Sequence, residues 1–328
     1  MAKPSMADVA QLAGVSISTV SHVLNNTRFV SKEYREKVYS AIHELGYAPN
    51  LYARSFRTGR KNMIGFILPD ISNQFFSSVI ETVEGVISKS NYRLIIVNTK
   101  EDKKRERSHM QYLASGIVDG LILASTMENY SEFSDLLPPQ FPTVLIDRKV
   151  KNCRFDSVVV SVYDSVYKGV SDFIEHGEIK IGFIAWLGHL SPVQERLKGY
   201  LDAMRDHNIP IENGYVQFES SSERNIFTCI HNLVANGCSA VVLSNSVMSN
   251  DVYSYFYDHG ITINEDIKVL SFVDYELPIW STTPSAYITQ PVNEIGKIAA
   301  KQILMRIDNP LMPPKEIILQ SSYHNNIY

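Results

Sequence analysis

The amino-terminal stretch that decides the first fold unit reads SMADVAQLAGVSISTVSHVLN from Ser5 to Asn25. Ser5 and Asp8 have the spacing of a helix capping box, and the apolar residues that follow recur at helical intervals. Gly14 can adopt the positive φ of a tight corner, and Ser16 can cap a second helix. The stretch therefore predicts two short helices joined by a turn of about four residues, which is a helix-turn-helix.

Each helix of this unit is predicted to bury one apolar face. The inward residues are Val20, Val23 and Leu24 in the second helix and, in a third helix that starts after Ser31 and ends at Gly46, Tyr34, Val38, Ile42 and Leu45. The outward face of the second helix, which would enter a DNA major groove, carries Ile17, Ser18, Ser21 and His22. A plain helical bundle with a solvated surface is the alternative interpretation.

Beyond Pro49 the chain carries a short basic segment, Leu51–Thr58, that includes Arg54, Phe56 and Arg57. A helix of this length is marginal alone, and its arginines with one apolar wedge are typical of a minor-groove element. A plain linker is the alternative. Residues 1–61 hold nine lysines and arginines against four acids, a net charge of +5, whereas the whole chain has −4. A basic module on an acidic body favours phosphate binding at one end.

From Met63 onward, short β-branched runs alternate with amphipathic helical stretches. The predicted strands are Met63–Leu68, Tyr92–Thr99, Gly120–Ser125, Thr143–Asp147, Lys180–Trp186, Ala240–Asn245 and Lys268–Val273. The predicted helices are Gln74–Ser90, Lys103–Ser115, Ser165–His176, Val193–His207, Glu223–Asn236, Val247–His259 and Val292–Ile307. This alternation predicts parallel sheets covered on both faces, and its length predicts two sheets, with a crossing near Val158–Tyr163. A ligand is expected at the carboxyl ends of the strands, between the two subdomains.

The motifs of common enzyme classes do not occur in the sequence. We find no G-x-G-x-x-G, phosphate-binding loop, nucleophile elbow or H-E-x-x-H, so the chain is expected to be a binding protein without catalytic residues, cofactor or metal. Cys153, Cys229 and Cys238 have no metal spacing and are expected to be small buried side chains. With no apolar signal segment and no run of membrane-spanning length, the chain is expected to be cytoplasmic and to have no membrane partner.

These features resemble the lactose-repressor/galactose-repressor (LacI/GalR) family of bacterial transcription regulators from Ser5 to about Leu319. The most specific matches are Asp8-Val9-Ala10, Ala13-Gly14-Val15-Ser16, Ser18-Thr19-Val20-Ser21, Glu44-Leu45-Gly46-Tyr47, Ala53-Arg54-Ser55, Pro69-Asp70-Ile71-Ser72-Asn73, Val118-Asp119-Gly120 and Glu195-Arg196-Leu197. The resemblance implies a helix-turn-helix headpiece (1–48), a hinge helix or linker (49–61) and an effector-binding and dimerisation body (62–328). That body would be an α/β periplasmic-binding-protein-like fold of two doubly wound parallel-sheet subdomains, about 62–161 with 292–322 and about 162–291.

The resemblance further implies a homodimeric repressor of a carbohydrate-utilisation operon that binds a pseudo-palindromic operator. The DNA-contacting positions would be Ser16, Ile17, Ser18, Thr19, His22, Asn25, Arg28, Tyr47, Asn50, Ala53, Arg54, Phe56 and Arg57. Phe56 stands where members usually carry Leu, so it would either wedge a base step or pack against its dimer mate, and Ile17 is more apolar than the usual residue. No leucine heptad follows Pro314, which favours a dimer over a tetramer.

The resemblance also places a small effector between the subdomains. The implied effector-binding residues are Phe75, Phe76, Asp147, His189, Arg196, Asn245 and Val273. Members commonly have Asp at three positions where this chain has Val273, Ser246 and Val160-Ser161. Losing carboxylates while keeping Arg196 favours an anionic effector, a sugar acid or a phosphorylated sugar. A neutral ligand, or none, is the alternative, and a solute-binding protein or an enzyme on the same fold are the competing functions.

Overall fold

The computed structural model of the chain describes residues 4–26, 28–48, 59–219, 225–273 and 285–326. The chain divides into two compact units, Met1–Lys61 and Asn62–Tyr328. The predicted hinge helix, Leu51–Thr58, lies outside the described residues. Among the described helices, none is long and apolar enough to cross a bilayer.

The first unit contains the helices α1 (Met6–Ala13), α2 (Ile17–Asn25) and α3 (Lys32–Leu45). The capping box at the start of α1 is formed, because the Ser5 amide donates to Asp8 Oδ2 at 2.7 Å and the Asp8 amide donates to Ser5 Oγ at 3.3 Å. The hydrogen bonds that the Ser5 amide and then the Ser5 hydroxyl donate to the Asp8 carboxylate lower the pKa of this carboxyl. Gly14 ends α1 at φ 65°, and Ser16 caps α2 through the Thr19 amide. The predicted helix-turn-helix is confirmed.

Small side chains fill the core of this unit: Val9, Ala10, Ala13, Val20, Val23, Val38 and Ala41. The prediction for the inner face of α3 was wrong at Tyr34, which is 47% exposed. The buried residues of α3 are Val38 and Ala41, and Ile42 and Leu45 pack partly against the same core. Tyr34 lies in the first turn, where the Lys37 ammonium lies 5.5 Å from the centre of its ring.

The first sheet of the second unit contains β1 (Met63–Leu68), β2 (Arg93–Asn98), β3 (Gly120–Leu123), β4 (Thr143–Ile146), β5 (Asp156–Ser161) and β11 (Glu316–Gln320). Their order is β11-β5-β4-β3-β1-β2, and all neighbours pair in parallel. The helices packed on this sheet are α4 (Gln74–Ile87), α5 (Lys103–Ala114) and α10 (Val292–Asp308). Single 3-10 turns follow at Ser88–Ser90 and Tyr130–Phe133.

The second sheet contains β6 (Ile181–Trp186), β7 (Val216–Glu219), β8 (Ala240–Leu243), β9 (Lys268–Val273), β10 (Ala286–Thr289) and β12 (Ser322–Asn325). Their order is β12-β10-β9-β8-β6-β7, and only β12 runs antiparallel to its neighbour among the described strands. The helices of this subdomain are α6 (Tyr163–Glu175), α7 (Ser191–Asp206), α8 (Ile226–Ala235) and α9 (Ser249–Asp258), and a 3-10 turn spans Ser246–Met248.

Continuous apolar runs form the central strands because helices cover both faces of a parallel sheet. Every residue of β3 and β8 is buried, as is β1 after Met63. The predicted pair of doubly wound sheets is confirmed. The strands that the sequence did not predict as strands are β5, β7, β10, β11 and β12. The burial of β11 alternates because it lies at an edge. The polar β12, which begins at Ser322, belongs to the second sheet.

Within the described ranges, the chain passes between the two sheets after β5, after β10 and after β11. Ser321 ties two of these crossovers together, since its amide and its hydroxyl donate to the Ser161 carbonyl at 3.2 and 3.0 Å. Helix α10 returns to the first sheet and lies close against α4. A Cβ at Gly296 would lie 2.7 Å from Thr82 Cβ and 3.0 Å from the Val79 carbonyl, so this approach requires glycine.

A buried ion pair holds the return of α10 to the first sheet. Arg306 donates to both carboxylate oxygens of Asp156, from Nε at 2.9 Å and from Nη2 at 2.6 Å. Gln302 Nε2 and the Lys315 amide also donate to this carboxylate. Asp156 is completely buried. The pair therefore joins the first residue of β5 to the end of α10 and to the turn before β11.

We expect Asp156→Ala to lower the free energy of unfolding of the second unit by about 3–5 kcal/mol, because the substitution leaves the Arg306 guanidinium buried without its counter-charge. Urea denaturation followed by circular dichroism measures the change. Glu316→Ala removes an exposed acid from the neighbouring strand β11 and should change the free energy by less than about 0.5 kcal/mol. Equal effects of the two substitutions would contradict the role given to the buried pair.

Candidate functional site

A cleft of about 660 Å³ opens where the carboxyl ends of strands from both sheets face each other. Strands β1, β2, β4, β6, β8, β9 and β10 contribute residues at or just after their ends, and α4 and α7 contribute their first turns. The lining residues are Pro69, Asp70, Ser72, Asn73, Phe75, Phe76, Lys100, Glu101, Asp147, Arg148, Trp186, Leu187, Leu190, Pro192, Val193, Arg196, Asn245, Ser246, Phe272 and Gln290. Its size and position are those expected of a ligand site in an α/β protein.

The residues that the sequence assigned to an effector site fall into two groups. Those that line the cleft are Phe75, Phe76, Asp147, Arg196 and Asn245. His189 and Val273 are not among the lining residues. His189 is exposed in the loop before α7, and Val273 is buried at the end of β9. Because successive strand residues point to opposite faces, the cleft receives Phe272 instead of Val273.

Arg196 is held against the cleft wall on two sides. The residue is 5% exposed, and its Nη1 donates to the Ser244 carbonyl at the end of β8. Its guanidinium carbon lies 3.9 Å from the centre of the Phe272 ring, within the range of a cation–π contact. The guanidinium is therefore pre-organised for a planar anionic or hydroxyl-rich partner.

A second arginine, Arg148, lines the opposite wall and was missed by the sequence analysis. Its Nη1 and Nη2 donate to the two carboxylate oxygens of Glu101 at 2.8 and 2.5 Å. Burial acts to lower the pKa of this guanidinium, but the hydrogen bonds and charge of Glu101, with further charge from Asp147 and Glu106, hold it above its ordinary value. The sequence did contain a signal for this pair. Arg148 comes shortly after β4 and Glu101 shortly after β2, and the carboxyl ends of these parallel strands lie at the same edge of the sheet.

The formal charges along the cleft balance. The lining carboxylates are Asp70, Glu101 and Asp147, and the lining cations are Lys100, Arg148 and Arg196. Glu101 and Arg148 neutralise each other through their bidentate contact. Two charges of each sign remain, so the cleft can bind a polar ligand that carries at most a small net charge.

Aromatic rings form the apolar part of the cleft on both sides. Phe75 and Phe76, in the first turn of α4, have ring centroids 5.0 Å apart in an edge-to-face arrangement. Asn73 fixes this turn by accepting from the Phe75 amide at 3.0 Å. Trp186 and Phe272 face the cleft from the second subdomain. Rings on two walls with polar groups between them suit the alternating C–H and hydroxyl faces of a sugar ring.

Strained backbone is concentrated in the cleft walls. Outside glycine, asparagine and aspartate, positive φ among the described residues is confined to Lys100, Glu101, Gln140 and Leu187, and three of these four line the cleft. Asp147, with φ 66°, lines it as well. Each residue other than glycine that is held in the left-handed conformation raises the free energy of the folded state by about 1–3 kcal/mol. Such strained residues cluster at binding sites. The strain therefore supports a ligand site here.

The predicted DNA-contacting residues of the first unit lie around the start and outer face of α2. Ser16, Ile17 and Ser18 are exposed, and Ile17 is 52% exposed. The Ser16 hydroxyl lies 2.7 Å from that of Ser18 and 2.8 Å from that of Thr19. The polar end of this helix is therefore organised before any contact with DNA.

The remaining predicted DNA contacts differ in their surroundings. His22 and Asn25 are half-buried, and Asn25 Nδ2 donates to the Ser21 carbonyl at 2.8 Å. Arg28 is exposed. Tyr47 packs partly against the helical core, and burial raises the pKa of its hydroxyl. The residues that lie outside the described ranges are Asn50, Ala53, Arg54, Phe56 and Arg57.

The paired questions of a metal site and a reactive thiol concern the histidines, acids and cysteines of the described residues. No cluster of histidine, cysteine, aspartate and glutamate with metal-binding geometry occurs in the described ranges. Cys229 and Cys238 are buried free thiols and Cys153 is half-buried. Burial raises the pKa of the Cys238 thiol to about 11, so it is not a thiolate at neutral pH.

Comparisons with known proteins agree with this architecture. Residues 5–50 match the family described as bacterial regulatory proteins, lacI family, and residues 170–324 match a periplasmic binding protein-like domain. The Ribose operon repressor of Escherichia coli (strain K12) is 32% identical over 96% of both chains. The HTH-type transcriptional repressor PurR of Vibrio vulnificus is 32% identical over 92% of this chain and 91% of its own.

Solved structures share the fold over nearly the whole chain. The lac repressor dimer bound to operator and the anti-inducer ONPF has a TM-score of 0.81 at 20% identity, with 98% of each chain covered. The transcriptional regulator CelR in complex with cellobiose has a TM-score of 0.71 at 22% identity, again with 98% of each chain covered. At these identities the structures show the fold alone. The full-length similarity to the two repressors shows that this chain belongs to the lacI family of bacterial regulatory proteins, which are DNA-binding transcription regulators and not enzymes.

Proposed function

We propose that this chain is a cytoplasmic repressor of a carbohydrate-utilisation operon. It binds a pseudo-palindromic operator as a homodimer and changes its operator affinity when a small sugar-derived effector occupies the cleft. The observation that carries the proposal is the presence in one chain of a helix-turn-helix with an exposed polar second helix and of a cleft with aromatic walls and two fixed arginines. The relatives support it, since one is a repressor of a ribose operon and one structural neighbour holds cellobiose.

The effector class follows from the charges along the cleft. The family commonly has aspartate where this chain has Ser246, which lines the cleft, so this position supplies no carboxylate to repel an anion. The other two such positions, Val273 and Val160-Ser161, are not among the lining residues. Arg196 and Lys100 provide positive charge, but Asp70 and Asp147 also line the cleft. A ligand with two negative charges would meet more repulsion than one with a single charge. We infer a sugar acid in preference to a phosphorylated sugar.

The coupling between ligand and DNA is a shift between two arrangements of the molecule. A ligand can change operator affinity only to the extent that it binds one arrangement better than the other, and such couplings amount to about 5- to 150-fold. The basic segment Leu51–Thr58 is proposed to enter the minor groove beside its copy from the partner, with Phe56 as the apolar wedge. The larger ring in place of the usual leucine would alter the preferred central base step.

The operator proposal predicts that the purified full-length chain selects a pseudo-palindrome from a randomised duplex pool at near-physiological salt. His22→Ala should relax preference at one position of each half-site by about 1–3 kcal/mol, because His22 is proposed to contact a base edge. Arg54→Ala should weaken binding to all DNA sequences. It should also reduce the slope of log binding constant against log salt concentration by the amount expected for about one phosphate contact. Binding that depends only on salt, or identical behaviour of the two variants, would contradict the proposed groove assignment.

The effector proposal predicts that D-gluconate, D-glucuronate or D-galacturonate changes the affinity for the selected duplex, whereas D-glucose and D-glucose 6-phosphate do not. Arg196→Met leaves an unbranched apolar side chain beside the Phe272 ring but removes the guanidinium, so it should lose the response to the sugar acid by more than about tenfold while it still selects the operator. Arg205→Met, an exposed arginine on the same helix, is the matched control and should respond like the unsubstituted chain. A response to the neutral sugar alone would refute the assignment of an anionic effector.

A further inference from the structure

Glu195 connects the helix that carries Arg196 to the crossover that follows β5. Its Oε1 accepts from the Ser161 hydroxyl at 3.1 Å and from the amides of Val162 and Tyr163 at 2.9 and 3.4 Å. Its Oε2 lies 3.5 Å from Lys149 Nζ. One carboxylate of the second subdomain thus contacts both a crossover and a residue beyond the end of β4.

This carboxylate replaces a missing helix cap. Helix α6 begins at Tyr163, and Val162 at its N-cap position makes no side-chain cap bond. The first amides of a helix need an acceptor, and negative charge near them is favourable because of the helix dipole. Glu195 supplies both from a different helix, so the conformation of residues 161–163 depends on the position of the first turns of α7.

The same turns of α7 form part of the cleft wall. Pro192, Val193 and Arg196 line the cleft, whereas Glu195 is not among the lining residues. Ser191 Oγ accepts from the Lys149 amide at 2.8 Å, so a second bond joins this turn to the end of the first-subdomain wall that carries Asp147 and Arg148. A movement of these turns toward or away from a ligand must either carry these bonds with it or break them.

We propose that Glu195 is the positioning residue that couples occupancy of the cleft to the angle between the two subdomains. Ligand contact at Arg196 shifts the first turns of α7. Glu195 passes this shift to the crossover at residues 161–163 and to Lys149, and so sets the balance between the two subdomain arrangements. The inference rests on the proposed function, because it treats the cleft as the site whose occupancy is signalled.

The test compares ligand-free full-length protein carrying Glu195→Ala with Gln194→Ala, a matched control at an exposed neighbouring position in the same turn. Glu195→Ala should change the affinity for the selected operator by at least about fivefold, because the carboxylate no longer sets the equilibrium between the two subdomain arrangements of the ligand-free protein. Hydrogen exchange of the Lys149 and Val162 amides should become faster than in the control. An operator affinity and exchange rates equal to those of Gln194→Ala would overturn the proposal.

Two further variants, each of which removes one partner of the ionic contact between Glu195 and Lys149, provide the test if Glu195→Ala does not fold. Glu195→Gln retains an acceptor oxygen but loses the ionic contact, and Lys149→Met removes the same contact from the other side. Each alone should shift operator affinity in the same direction, and the double variant should show less than the sum of the two shifts in free energy. Additive shifts would mean that the contact does not set the balance and would overturn the proposal.

The design separates this inference from the effector assignment. Both measurements use ligand-free protein, so they give a result even if no sugar acid binds. A sugar acid that shifts operator binding in the unsubstituted chain and equally in Glu195→Ala would leave the proposed function intact and overturn the role of Glu195. A loss of that shift, with ligand affinity within about threefold of the control, is the result expected of a positioning residue.

Discussion

The function of this molecule depends on one geometrical constraint, which is that the carboxyl ends of two parallel sheets face a common space. In a parallel sheet all strand ends that point the same way meet at one edge, so residues far apart in sequence become neighbours there. Each subdomain contains one such sheet edge, and the crossovers after β5, β10 and β11 keep the two edges together. Nearly all polar groups of the cleft follow from this arrangement.

Polar contacts hold the arrangement where apolar packing cannot. The buried pair of Asp156 and Arg306 closes the first sheet around the end of α10, and the pair of Glu101 and Arg148 fixes the cleft wall. Such pairs contribute little net stability compared with apolar residues of the same shape, but they are costly to break, and the two-point hydrogen bonds of these two pairs restrict the orientation of their side chains. At the cleft this rigidity serves a purpose, because a ligand that meets pre-organised groups loses less entropy on binding. The strained backbone at Lys100, Glu101 and Leu187 also lies in the walls of the cleft.

Much of the fold could be predicted from the sequence because its elements carry strong local signals. The bounds of β1 and β9 were predicted as the structure has them, since β1 is a continuous apolar run and β9 is mostly apolar, and Arg196 was placed in the cleft from its motif. The edge strands β7, β11 and β12 were missed because each is short and at least partly polar. The pair of Glu101 and Arg148 was missed because its members are 47 residues apart in the sequence and only the sheet order brings them together.

The central claim is that one chain links a DNA site and a ligand site through a shared conformational balance, and reciprocity tests it most directly. Calorimetric titration of a sugar acid into the protein alone, and into its complex with the selected operator duplex, gives the dissociation constant of the ligand in both states. Because linkage is symmetric, the account predicts that operator changes ligand affinity by the same factor, about 5- to 150-fold, by which ligand changes operator affinity. Equal ligand affinities with and without operator would contradict it.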